Sequence, residues 1–263
     1  MMISRLLVTM VLVVSCGGGL VATGPTASAA EPVTVVRIID GDSLVVETET
    51  GPLQVRITGV NTPDRGECHH REAGAYLEEA LEGAAVAIVR EGTDQYGRVL
   101  ARVDAGGVDL ALRLVRSGHG VAVADTRHPE DLVGAEEAAY RERQGMWDRA
   151  TCGSGPPPQV DFDPEESVTD PPGPDGDALG SEVVFIANHG SRPVELGGWS
   201  LRDASSRHRF RFEPGTTIRP GERIGISSSS RGWTPGGTPV WSNDGDIALL
   251  VDDSGGVVAR WRY

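Results

Sequence analysis

The stretch Val33–Thr58 reads VTVVRIIDGDSLVVETETGPLQVRIT, and it sets the fold. Val33–Ile39 and Leu44–Thr48 are dense in β-branched residues and flank the turn Asp40-Gly41-Asp42-Ser43. Glu49-Thr50-Gly51-Pro52 reverses the chain again, and Leu53–Thr58 returns as a third strand. Downstream the period changes. Ala73, Tyr76, Leu77, Ala80 and Leu81 fall at helical spacing, with Glu72, Glu78, Glu79 and Glu82 on the other face. Val86–Val89 and Val99–Val103 supply two more strands. Val108, Ala111, Leu112 and Val115 mark a second helix stopped by Gly118, and Leu132–Gln144 a third. Five strands with interleaved helices predict a small closed barrel in a chain that is mainly β with some α.

The same region carries a chemical set: Asp40-Gly41-Asp42-Ser43, then Arg56, then Asn61-Thr62-Pro63-Asp64, then Asp94-Gln95-Tyr96-Gly97-Arg98. Carboxylate-rich turns hold hard cations through oxygen. Two guanidiniums can grip one phosphate, each through a planar fork. An acid after Pro63 is placed to activate water. Each fragment alone is a common turn; together they are the parts needed to cut a phosphodiester with a metal ion.

Ile39-Asp40-Gly41-Asp42-Ser43, Val55-Arg56-Ile57, Val60-Asn61-Thr62-Pro63-Asp64, Asp94 to Ala101 and Gly145-Met146-Trp147 make residues 33–152 resemble a staphylococcal-nuclease-like (thermonuclease) domain. The resemblance implies an OB-fold five-stranded barrel with three helices and a calcium-dependent phosphodiesterase of DNA and RNA. It implies one Ca2+ held by Asp42, by Asn61 and by the backbone carbonyl of Thr62. It implies Arg56 and Arg98 as phosphate clamps and Asp64 as general base.

The chain departs from that pattern at two of these positions. Asn61 stands where aspartate is commonest, so the site loses a negative charge. Asp64 stands where glutamate is usual and is one methylene shorter, and a displacement of about 1 Å can slow a reaction on the order of 10²-fold. Three outcomes follow: Asp64 works through a shifted water, Glu67 leans in from the next turn, or catalysis is slow. The family's base-stacking tyrosines have no equivalent near Ala124 and Thr126. Cys68-His69-His70 lacks a second Cys or His at zinc-ligand spacing and reads as half a disulfide followed by solvent-facing histidines.

Ser154-Gly155-Pro156-Pro157-Pro158 is a stiff linker between residues 31–153 and 159–263. Beyond it, short strand patterns alternate with turns: Glu182–Ala187, Trp199–Arg202, His208–Phe212, Arg223–Ile226, Ile247–Val251 and Val257–Arg260, with a proline- and acid-rich loop at Asp170–Asp177. That spacing predicts a β-sandwich. Val184-Phe185-Ile186-Ala187-Asn188, Gly198 to Asp203, Phe210-Arg211-Phe212, Arg219-Pro220-Gly221-Glu222 and Trp241 to Asp246 resemble a lamin-tail domain, which implies an immunoglobulin-like β-sandwich and a binding or tethering module. Trp199, Phe210, Phe212 and Trp241 read as core, and Asp244, Asp246, Asp252 and Asp253 as turns.

Residues 1–30 read as a signal peptide with two competing exits. Ala27-Ser28-Ala29-Ala30 resembles a signal-peptidase site, and Val13-Val14-Ser15-Cys16-Gly17-Gly18 a lipobox that would acylate Cys16. Both mean export, either released or held on the outer face of the membrane. In an exported protein Cys68 and Cys152 are expected to pair across 84 residues, which stabilises by roughly 4–5 kcal/mol; two free thiols are the alternative. Net charge is −14, with 13 Arg against 22 Asp+Glu in 31–153 and no Lys anywhere. This argues against an extended polyanion-binding face and leaves room only for a local grip. The sequence thus predicts an exported, monomeric two-domain nuclease acting on DNA or RNA, its C-terminal domain holding it near an envelope ligand or the substrate. The rival is a barrel that binds nucleic acid or an envelope partner without efficient cleavage.

Overall fold

A computed structural model describes residues 30–123, 129–153, 158–172, 179–205, 207–243 and 245–263. The leader with Cys16, most of the linker, Ala124, Thr126, most of the acidic loop and Asp244 lie outside the described residues.

Strands β1 (Glu31–Ile38), β2 (Ser43–Thr48) and β3 (Gly51–Ile57) form an antiparallel meander. A short β4 (Val60–Asn61) precedes helix α1 (His70–Leu81), followed by β5 (Val86–Thr93) and β6 (Val99–Ala105). The sheet closes in the order β1-β2-β3-β6-β5, because β6 pairs parallel to β3 and β5 returns to β1. Closure buries alternate residues: Leu44, Val46, Val55, Ile57, Ile88, Ala101 and Val103 fill the barrel. The turn predicted at Glu49–Pro52 is tighter than expected, since Gly51 and Pro52 already pair with Thr48 and Glu47. Helix α1 covers the barrel with Ala73, Leu77, Ala80 and Leu81 and leaves its glutamates in solvent. Helix α2 (Leu110–Arg116), strand β7 (Val121–Ala122, paired with β4) and helix α3 (Pro129–Arg141) complete this unit.

The C-terminal unit is built from β8 (Val160–Phe162), β9 (Val183–Asn188), β10 (Val194–Glu195), β11 (Ser200–Arg202) and β12 (Arg209–Arg211). It continues with β13 (Thr217–Ile218), β14 (Arg223–Ser227), β15 (Trp233–Thr234), β16 (Ile247–Val251) and β17 (Val257–Arg262). One sheet runs β15-β12-β11-β16-β17 and another β14-β9-β8, with β10 and β13 as a separate pair. Trp199, Phe212 and Trp241 are buried between them, and Phe210 is partly buried at the margin.

The two units share a core. Val121, Ala139, Met146 and Trp147 from the first pack with Ala204, Ile247, Leu249, Val251 and Val257 from the second. Burying an aliphatic side chain of this size stabilises by about 1.5–3 kcal/mol. Polar contacts ring the patch. Glu136, fully buried on α3, pairs with Arg262 at 2.7 Å and Arg260 at 3.2 Å and accepts the Ala122 N–H. Arg149 pairs with Asp252 at 2.9 Å and donates to the Val257 carbonyl. Asp252, read from sequence as a plain turn residue, is therefore a buried anchor between units. Cys68 and Cys152 form the expected disulfide, and it lies against Gly255 and Gly256 of the second unit. A Cβ on Gly256 would sit 2.4 Å from the Cys152 carbonyl oxygen, so only glycine permits this approach.

Candidate active site

The turn between β1 and β2 presses against the loop after β4. A Cβ on Gly41 would lie 2.7 Å from Thr62 Oγ1 and 2.8 Å from Ala73 Cβ, which explains a glycine between two aspartates. This close approach lets Asp42 reach across the barrel mouth. Its Oδ2 accepts from the Thr62 N–H at 2.8 Å and from Thr62 Oγ1 at 3.0 Å. Its Oδ1 accepts from Ser43 Oγ and lies 3.1 Å from Arg56 Nε. Asp40 is partly buried beside it. Desolvation, then the charge of Asp42, raises the Asp40 carboxyl above its ordinary range.

Arg56, on β3, is held on several edges. Nη1 donates to the carbonyls of Ile57 and Val60, and Nη2 donates to Asn61 Oδ1 at 2.9 Å. The Asn61 Nδ2 group is buried with no hydrogen-bond partner. Arg98, on the turn into β6, is different. Only its Nε is tied, to Asp94 Oδ2 at 2.7 Å, and its side chain is 29% exposed against 15% for Arg56. Desolvation pushes the Asp94 carboxyl up, but hydrogen bonds from the Arg98 side chain and from the Arg98 and Tyr96 N–H groups hold it below its usual range. The Arg98 guanidinium lies 5.8 Å from the centre of the Tyr96 ring, and among the described residues its terminal nitrogens have no hydrogen-bond or carboxylate partner.

Asp40, Asp42, Arg56, Asn61, Thr62, Asp64 and Arg98 line one cleft of about 650 Å³. Arg98 thus faces the same cavity as Asp42, across the barrel mouth. The donors are all oxygen, and the mutual repulsion of Asp40 and Asp42 suits a hard cation. Among the described residues no three His, Cys, Asp or Glu side chains converge closely enough to hold a metal by themselves. A cation here would need the Asn61 amide, the Thr62 carbonyl and water to complete its shell.

Glu67 does not line this cleft. One of its oxygens accepts the Asp64 N–H at 2.7 Å, and the other pairs with Arg209 on β12. Burial pushes the Glu67 carboxyl up, but Arg202, Arg209 and the Asp64 N–H together hold it below its usual range. Glu67 is therefore a brace that fixes the Asp64 loop against the C-terminal unit. His69 corrects the expectation of solvent-facing histidines: it is buried, and its Nε2 lies 2.9 Å from His119 Nδ1 in a stack with Tyr76. Burial, then the neighbouring His69, pushes the His119 imidazole down to about 4. His70 contacts the Pro63 carbonyl at 2.8 Å and so steadies the Asp64 loop from beneath.

The cleft also has walls that the motifs did not announce. Ser205, Arg207, Thr234 and Pro235 of the C-terminal unit line it.

Residues 54–149 match the family described as staphylococcal nuclease homologue, and residues 164–263 match the lamin tail domain. The chain joins a staphylococcal-nuclease-like domain to a lamin tail domain. Asp40 and Asp42 precede the matched segment yet belong to the same barrel. A thermonuclease of Staphylococcus intermedius is 27% identical over 146 residues, covering 51% of this chain and 86% of that protein. An uncharacterized endonuclease of Escherichia coli is 24% identical over 117 residues, covering 44% of this chain and 76% of that protein. Another from Haemophilus influenzae is 27% identical over 114 residues, covering 43% and 64%. These similarities place the nuclease domain in a nuclease family; the lamin tail domain lies on its cleft.

Proposed function

We propose that this protein is an exported, divalent-cation-dependent phosphodiesterase that hydrolyses DNA, RNA or both. The observation that carries the reading is the single cleft shared by Asp42, Asn61, Thr62, Asp64, Arg56 and Arg98. Asp42, the Asn61 amide oxygen and the Thr62 carbonyl would hold one Ca2+, which when bound supplies positive charge to a phosphoryl oxygen. The chain's own groups do the rest. Arg98 offers terminal N–H donors to the phosphate, where they meet the charge that gathers in the transition state. Arg56 spends most of its donors on Asp42, Asn61 and two carbonyls, so its larger task is to hold the oxygen donors in place. Asp64 accepts the proton of the attacking water, on a loop fixed by Glu67 and His70.

The leader at 1–30 and the disulfide support a site of action outside the cytoplasm, released or attached through a lipid on Cys16. The protein acts as a monomer in this reading, and its lamin tail domain engages an envelope ligand through a face away from the cleft.

Purified protein is incubated with plasmid DNA and with RNA, in calcium or in chelator. Cation-dependent cutting, reduced on the order of 10²-fold or more by Arg98→Ala, is expected. The neutral Asn61 favours a second reading, a nuclease fold that binds without efficient cleavage. Saturable binding with no cleavage at any cation concentration would establish that reading instead.

A further inference from the structure

We propose that the lamin tail domain completes the substrate cleft, with Arg207 as a nucleic-acid-backbone contact flanking the scissile phosphate. The inference rests on the phosphodiesterase reading for the identity of the ligand, a phosphodiester chain. Arg207 lies in the loop between β11 and β12 and is exposed. It lines the cleft that holds Asp42 and Asp64, and it lines a second cavity of about 660 Å³ that shares Arg56 and Arg98 with the first. A strand running from one cavity into the other would pass three guanidiniums, two from the nuclease domain and one from the lamin tail domain.

Four other arginines of this domain have carboxylate partners, Arg209 with Glu67, Arg223 with Asp163, and Arg260 and Arg262 with Glu136; Arg192, Arg211, Arg219 and Arg231 have none among the described residues but do not line the cleft. Arg207 has none among the described residues, although the chain carries a net charge of −14. Its position is built. Asp203 accepts from Ser205 Oγ at 2.9 Å and holds His208 Nδ1 at 2.6 Å, and the Arg207 N–H donates to Ser205 Oγ. Two residues on, the Arg209–Glu67 pair roots the same loop on the nuclease domain, next to Asp64. An unpaired cation held over a cleft by a rooted loop suits a phosphate in an otherwise acidic molecule, where attraction must be local.

The test measures binding of a fluorescein-labelled oligothymidylate to the full chain by anisotropy, in chelator, across a salt series. Each phosphate contact to a single strand contributes about 0.7 to the slope of log K against log salt. Arg207→Ala is expected to lower that slope by about 0.7 and to weaken binding about fivefold at low salt. Arg207→Lys should keep the slope. Arg219→Ala removes an exposed arginine of the same domain that does not line the cleft, and should change neither quantity. The proposal is overturned if Arg207→Ala matches wild type, if it binds more tightly, if Arg219→Ala gives the same loss, or if wild type shows no saturable binding. Cleavage by wild type in calcium is read in parallel. A fallen slope without cleavage in any cation keeps the subsite and removes the phosphodiesterase reading; cleavage with an unchanged slope does the reverse.

Discussion

Asn61→Asp probes the cation reading most directly. In the native protein the Asn61 oxygen serves Arg56 at 2.9 Å, while its Nδ2 is buried without an acceptor. An unsatisfied buried donor costs about 1–3 kcal/mol, and a carboxylate has no such donor. The substitution also adds a unit charge. Against a divalent ion at about 2.4 Å that charge is worth roughly 3–4 kcal/mol even at the dielectric of water. Part is offset because the new carboxylate repels Asp42, which already lies 3.1 Å from the same guanidinium. A net gain of about 1.4 kcal/mol corresponds to a tenfold change in affinity. The calcium concentration giving half-maximal single-turnover cleavage of a labelled oligonucleotide should therefore fall about tenfold. An unchanged or raised midpoint, with the fold intact by circular dichroism, would refute the placement of a cation beside Asn61.

Glu136→Ala should destabilise the chain by about 3–5 kcal/mol in urea unfolding, because it strands Arg260 and Arg262 at a shared interface; a loss under 1 kcal/mol would show that the pairing is incidental. Gly256→Ala drives a methyl into the Cys152 carbonyl, which is backbone and cannot rotate aside. It should lower stability by at least about 1 kcal/mol and raise the proteolysis rate at the junction between domains, both readable by limited digestion. Asp246 sits in a buried site where desolvation, then the charge of Asp203, pushes its carboxyl up to about 6. The native state therefore holds this proton more tightly than the unfolded chain. Ionised Asp246 costs nothing below the unfolded value near 3.8, and the cost grows with pH to its full size above 6. Asp246→Asn keeps an oxygen for the Ala204 and Ile247 N–H groups and should stabilise by up to about 3 kcal/mol at pH 8 and by almost nothing below pH 4. Urea midpoints over that range check the slope.

The barrel was legible because β2 is dense in β-branched residues, and Leu53, Val55 and Ile57 alternate with Gln54 and Arg56 along a strand long enough to show a period. Strands β4, β7, β10, β13 and β15 were not, since two residues carry no periodicity. Asp42, Arg56, Asn61, Thr62, Asp64 and Arg98 were named from motifs, and they face one cavity. Motif reading could not tell that Arg56 is largely engaged by protein oxygens while Arg98 is not, because that depends on the carbonyls of Ile57 and Val60. Glu67 looked like a spare acid from its spacing alone; its partner lies 142 residues away on β12. Arg207 gave no signal for the same reason. Its place over the cleft comes from the packing of one domain on the other, and local sequence does not encode that.

The apolar patch shared by Val121, Met146, Trp147, Ile247, Leu249 and Val257 has a consequence for how this molecule is divided. Family boundaries cut the chain at the proline-rich segment, yet the packing crosses that cut. Severing it would leave greasy faces and the carboxylate of Glu136 exposed on one fragment and its two guanidinium partners on the other. The physical folding unit is larger than either family, and heating should melt both halves in one step.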